Sequence, residues 1–263
     1  MPEDPPPPEA FFGKHAADYR VNPSHAHGSD LAILLERLKP SRHERLLDVG
    51  TGTGHTALAL APLVKEVVGV DVTEEMLQEA RGLARERGIT NVVFESGNAE
   101  ELRYGPDTFD LVTTRRAAHH FSFPELFARE ARRVLRPGGR LGVVDMCPPP
   151  GGEDLLNRLE RLRDPTHRRA LTDGEWRDVL TRNGFEVASL DIQQEHLPLE
   201  AWLRPVALGG VEEQAVRQAL AGATAAERAA LEVREVAGKV EGFVKRRVIL
   251  IAHPSGLRAQ PAG

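Results

Sequence analysis

The chain has 263 residues, 41% of them apolar, enough to bury one large α/β core with an appendage rather than two equal domains. Its formal charge of −5 leaves no basic field to gather a phosphate backbone, so nucleic acid is not an expected partner. Cys147 is the only cysteine, which excludes an intramolecular disulfide and a multi-cysteine zinc site, and no apolar run nears the roughly twenty residues that span a bilayer. With no signal-peptide pattern at the start, the expected setting is the cytoplasm, away from membranes.

In chain order, residues 1–9 read as a disordered proline-rich tail, since Met1 to Pro8 carries five prolines and two acids. A helix is predicted from about Ser29 to Leu38, closed by Pro40, and then strand and helix periodicities alternate. Strands are predicted at Arg45 to Val49, Glu66 to Asp71, Val92 to Glu95, Phe109 to Thr113, Arg140 to Asp145, Phe185 to Gln193 and Arg246 to Ala252. The intervening helices are Thr56 to Leu63, Glu74 to Arg87, Pro124 to Leu135 and Asp173 to Asn183, with Gly88 and Gly184 placed where a left-handed residue ends a helix. Pro137-Gly138-Gly139 reads as a helix stop and turn. This order predicts a doubly wound, mostly parallel seven-stranded α/β sheet over residues 10–253. An insertion at about 196–242, with helices at Glu212 to Ala221 and Ala225 to Val236, is expected to cap a substrate or to pad a dimer interface. Residues 254–263 are polar and small, a second disordered tail.

The most informative stretch is Leu46 to Ala57, which runs a buried strand into the turn Gly50-Thr51-Gly52-Thr53-Gly54 and then into a helix. Glycines there let a ligand approach the peptide plane, and the helix start offers unpaired N–H groups. Asp71 ends the next apolar run, about twenty residues on, where an acid can hold ribose hydroxyls or serve as a helix N-terminal acid.

Leu47-Asp48-Val49-Gly50-Thr51-Gly52-Thr53-Gly54, followed in order by Asp71, Gly97-Asn98-Ala99-Glu100, Phe109-Asp110-Leu111-Val112 and Leu135-Arg136-Pro137-Gly138-Gly139, resembles the class I S-adenosylmethionine-dependent methyltransferases. The resemblance covers roughly residues 10 to 195 and lies in the branch with the ubiquinone/menaquinone-biosynthesis type enzymes. It implies a Rossmann-like methyltransferase fold and S-adenosyl-L-methionine as cofactor. Gly50, Thr51, Gly52 and Gly54 are then expected under the methionyl part and sugar, with Asp48 helping to receive the ammonium directly or through water and Asp71 accepting both ribose hydroxyls. Val72 and Met76 are placed to sandwich the adenine, Met76 having a plain core role as the alternative. Asn98 stands where many relatives carry Asp for the adenine amino group; its amide keeps a carbonyl acceptor, and the Ala99 N–H serves a ring nitrogen. Tyr19, in Phe11 to Tyr19, matches the family's entry segment and either covers the cofactor or anchors a loose arm.

After the fourth predicted strand comes Arg115-Arg116-Ala117-Ala118-His119-His120-Phe121, at the edge where open α/β sheets bind ligands. Arg115 is a candidate for the cofactor carboxylate or an anionic substrate group, and His119 or His120 either takes a proton from the nucleophile or packs beneath the loop. His25 and His27 lack a third ligand nearby, so no metal is expected, and Cys147 lacks an activating partner. The expected activity is in-line methyl transfer to an O, N or C nucleophile of a small, partly apolar molecule. Arg115-Arg116-Ala117 departs from the Arg-Asn signature of the quinone branch and disfavours a quinone. Two other readings differ in class: a non-catalytic cofactor- or partner-binding relative, and an NAD(P)-dependent oxidoreductase, whose Gly-x-Gly-x-x-Gly spacing this turn does not have.

Overall fold

The computed structural model describes residues 5–204 and 208–256. Three helices, α1 (Pro8–Arg20), α2 (Pro23–His27) and α3 (Ser29–Leu38), precede the alternating part. There β1 (Arg45–Val49), α4 (His55–Leu60), β2 (Glu66–Asp71), α5 (Glu74–Glu86), β3 (Val92–Ser96), β4 (Phe109–Arg115), α6 (Pro124–Val134) and β5 (Leu135–Met146) follow one another. The chain continues through α7 (Glu153–Arg163), α8 (Asp173–Arg182), β6 (Phe185–Pro198), α9 (Leu199–Leu203), α10 (Val211–Ala221), α11 (Ala225–Ala230), β7 (Arg234–Val236) and β8 (Lys239–Pro254).

The sheet runs β3-β2-β1-β4-β5-β8-β6, with β7 paired only to β8. The first five of these strands are parallel, and β8 enters antiparallel between β5 and β6. Apolar residues on both faces bury the central strands: α3, α4 and α5 cover one side around Leu34, Leu60 and Leu77, and α6 and α8 the other around Phe127 and Trp176. In α5, Met76, Leu77, Ala80, Leu83 and Ala84 recur at helical spacing and form its buried stripe. The reversal of strand order between β1 and β4 opens the crevice where such sheets bind ligands.

Several expectations need correction. The proline-rich segment expected as a tail through residue 9 enters a helix at Pro8, since a proline at the first helical position lacks only an N–H that would be orphaned anyway; residues 1–4 lie outside the described residues. Pro137-Gly138-Gly139 sits inside β5 rather than before it, with Gly138 at φ 81° absorbing a register shift against β4. Helix α7 had no counterpart in the sequence reading. The predicted helix from Ala225 to Val236 is divided into α11 and β7, and the second tail starts late, because Pro254 is still paired with Phe185; residues 257–263 lie outside the described residues.

The insertion builds a second small core. Trp202, Leu203, Val216, Leu220 and Phe243 pack onto Leu155, Leu156 and Leu159 of α7. None of its described residues lines the cavity described below; they pack against α7.

Candidate active site

Loops at the C-terminal ends of β1 to β4 enclose a cavity of about 310 Å³. Its floor is the turn after β1. Gly52 has φ 52°, and a Cβ there would meet nothing within 4 Å, so the middle of the turn presents bare peptide to open space. Gly54, at φ 81°, is closed by packing, since a Cβ would come within 2.8 Å of the Phe94 ring.

Two carboxylates hold this turn. Asp48 accepts the Thr51 hydroxyl at 2.7 Å and the Thr113 hydroxyl at 2.7 Å, and burial pushes its pKa up to about 6. Both its oxygens are engaged beneath the turn and it does not line the cavity, so it supports the glycines, and of the two expected ammonium contacts, direct or through water, this arrangement suits the second. Asp71 does line it. One oxygen accepts the Gly52 N–H at 2.8 Å and the other the Thr73 N–H at 2.9 Å, while low-dielectric surroundings raise its pKa.

Val72, Met76, Asn98 and Ala99 line the wall beside Asp71. The Asn98 carbonyl accepts the Glu100 N–H at 2.9 Å, which leaves one lone pair and the amide donors for a ligand. A carboxylate fixed by two backbone donors, apolar side chains beside it and an amide at the next strand end fit a nucleoside. The bare peptide at Gly52 fits the segment that follows the sugar. The residues therefore suit S-adenosylmethionine.

Opposite this wall, Arg115 and Arg116 both fork onto Asp30, which is fully buried at the start of α3. Their charges hold the Asp30 carboxyl far below the ordinary range. Arg115 also donates to the carbonyls of Ser24 and His25, so most of its donors are used internally before any cofactor carboxylate arrives. Arg116 adopts φ 56°, a strained conformation held by the same ion pairs.

The two histidines part company. His119 turns away from the cavity: its Nδ1 lies 2.6 Å from Asp145 at the end of β5, whose other oxygen accepts the His119 N–H. His120 borders the cavity, with Nδ1 3.2 Å from the Thr166 carbonyl and Nε2 3.8 Å from Asp164. Burial, then the neighbouring His119, lowers its pKa to about 4. Tyr19 is half-buried and lines the cavity with its ring edge-on to Phe12 and His25; burial keeps its phenol protonated, with a pKa near 12. Cys147 is buried and held as a thiol, its pKa pushed up to about 11. Among the described residues no cluster of three metal-ligating side chains occurs, and no helix is long and apolar enough to cross a membrane.

Asp30, Arg116, Asp145 and Phe12 were not singled out from the sequence, nor was the segment after α7, where Thr166 and Asp164 face His120 and Arg168 lines the cavity. Asp145 carried a usable signal, its place at a strand's C-terminal end. The segment after α7 carried none, because its contacts come from the tertiary fold.

A model of the methyltransferase domain matches residues 40–198. The chain is 41% identical over 200 residues to the uncharacterised methyltransferase YcgJ of Bacillus subtilis, covering 74% of this chain and 78% of that one. The solved YcgJ structure superposes with a TM-score of 0.82 at 31% identity, over 88% of this chain and all of the other. The ubiquinone/menaquinone biosynthesis C-methyltransferase UbiE of Proteus mirabilis is 37% identical over 127 residues, 47% of this chain and 49% of that one. At fold level, a geranyl diphosphate methyltransferase in complex with S-adenosylmethionine matches with a TM-score of 0.63 at 17% identity, over 95% of this chain and 92% of that one. The chain belongs to the methyltransferase-domain family, among the class I enzymes that include the quinone-biosynthesis type, and is a methyltransferase whose cofactor is S-adenosylmethionine.

Proposed function

We propose that the methyl acceptor is a small, partly apolar molecule bound between α1 and the loop after β4, and that transfer to its O, N or C nucleophile is in-line. The observation that carries this reading is the aromatic enclosure at that end: Phe12 and Tyr19 of α1 close over His25, His120 and Phe121. Ion pairs from Arg20 to Glu79 and Glu86 tie α1 to α5, so the cover is fastened to the cofactor side of the site. A concave pocket of this size suits a metabolite better than a polymer.

Bound S-adenosylmethionine supplies a methyl group activated by its sulfonium. In this reading Asp71 receives the ribose hydroxyls, Asn98 and Ala99 meet the adenine edge, and the Gly50 to Gly52 peptides pass the methionyl part. The Arg115–Asp30–Arg116 cluster keeps one excess positive charge near the cofactor carboxylate. The aromatic cover excludes water and aligns the acceptor, which is where most of the rate enhancement arises. His120 is neutral at pH 7 and borders the acceptor, but a base with a pKa near 4 contributes little driving force.

The test is an assay of S-adenosylhomocysteine release with a panel of phenols, amines and carboxylic acids of one or two rings, each product read by mass spectrometry. Turnover with members of the panel supports the reading. Turnover only with protein or nucleic acid added would replace it.

A further inference from the structure

The arginines of this site are nearly all spoken for. Arg115 and Arg116 share Asp30, Arg163 contacts Glu160 and the Trp202 carbonyl, and Arg169 pairs with Glu175. Arg168 is different. It lines the cavity, it is half-buried, and its guanidinium makes no hydrogen bond or ion pair among the described residues. Only its backbone is committed: the N–H donates to the His119 carbonyl and the carbonyl accepts from Arg161, which fixes the residue beside the histidine pair.

A half-buried arginine whose guanidinium has no partner gives up part of its hydration without an ion pair in return, so it is placed to meet an arriving anion. None of the cavity's carboxylates pairs with it among the described residues: Asp71 accepts the Gly52 and Thr73 N–H groups, Glu100 accepts the Phe123 N–H, and Glu9 is exposed in the first turn of α1. The cofactor's own carboxylate has the Arg115 and Arg116 cluster on the opposite side of the loop. Arg168 stands instead with His120 and the aromatic cover, at the acceptor end.

Resting on the small-acceptor reading above, we propose that Arg168 is a specificity-determining residue that receives a carboxylate of the methyl acceptor. The substrate class is then a small aromatic or apolar carboxylic acid.

The experiment titrates the protein, saturated with S-adenosylhomocysteine, with matched acid and amide pairs by calorimetry: 4-hydroxybenzoate against 4-hydroxybenzamide, and 3-phenylpropanoate against 3-phenylpropanamide. The acids should bind about tenfold or more tighter than the amides, the scale of a charge-assisted hydrogen bond. Arg168→Gln should erase that preference, Arg168→Lys should keep part of it, and both should bind S-adenosylhomocysteine as the parent does. Equal binding of acid and amide by the parent, or a preference that survives in R168Q, overturns the proposal while leaving the small-acceptor reading in place. Failure of both members of every pair to bind overturns that reading and this one together.

Discussion

Replacing Asp71 by asparagine tests the centre of the site with little change of shape. The carboxylate uses one oxygen for the Gly52 N–H and the other for the Thr73 N–H, at 2.8 and 2.9 Å. An amide has one oxygen, so one of those two backbone donors must face an N–H₂ group whichever way the side chain turns. An unsatisfied buried donor costs about 1–3 kcal/mol, and that much folding stability should be lost. Cofactor affinity should fall further than the distorted turn alone requires, because the ribose hydroxyls lose a charged acceptor worth about 1.5–3 kcal/mol, or about ten- to a hundredfold in Kd. Urea denaturation without ligand gives the first quantity, and calorimetric titration with S-adenosylhomocysteine gives the second. A variant with unchanged midpoint and a Kd within about twofold of the parent, inside the lower bound just set, would refute both roles, the turn-holding one and the ribose-holding one.

The glycine turn offers a paired contrast. Gly52→Ala puts a methyl into open cavity and should lower cofactor affinity with about 1 kcal/mol of stability lost, whereas Gly54→Ala drives into Phe94 and Ala80 and should destabilise more strongly; thermal melts with and without ligand separate them. Asp30→Asn leaves two mostly buried guanidiniums uncompensated and should cost about 3–5 kcal/mol by urea denaturation, so a loss under about 1 kcal/mol would show that the cluster is not a structural tie. Asp48 has a folded pKa of about 6 against an ordinary 3.8, so folding takes up a proton between these values. Its contribution to stability is present below the lower value and is lost as pH rises through the upper one. Asp48→Asn should therefore look better relative to the parent at pH 7.5 than at pH 4.5 in paired denaturation curves, and a gap independent of pH would contradict the assignment.

The legible parts of the molecule were those set by local sequence. The seven long strands and the helices between them announce themselves through buried apolar runs and amphipathic stripes, and Gly88 and Gly184 do adopt φ of 64° and 80° after their helices. That Gly52, Asp71, Val72, Met76, Asn98 and Ala99 line one cavity was legible for the same reason, because they sit at or just past strand ends, or in the first turn of α5, that the pattern locates. Residues whose meaning comes from distant partners were not legible. Asp30 matters through Arg115 and Arg116, which lie 85 and 86 positions on. His119 and His120 are adjacent in sequence, yet the short turn between them sends one to Asp145 and the other to the cavity. Helix α7 was not singled out although its sequence carries the signal, two acids in the first turn and Leu155, Leu156 and Leu159 on one face; what only the fold supplies is the second core that this face packs against.

That arrangement divides the labour of the chain. The cofactor half is built on the central sheet, where almost any change disturbs two buried faces at once. The cavity wall at Arg168 hangs from the end of α7, and behind it Arg163 donates to the Trp202 carbonyl at 2.7 Å and lies over the Trp202 ring. Residues of the second core can thus move the wall without touching either ligand. With the acceptor seated against that wall as proposed, substitutions in the second core would retune which acceptor is taken while the cofactor half stays fixed.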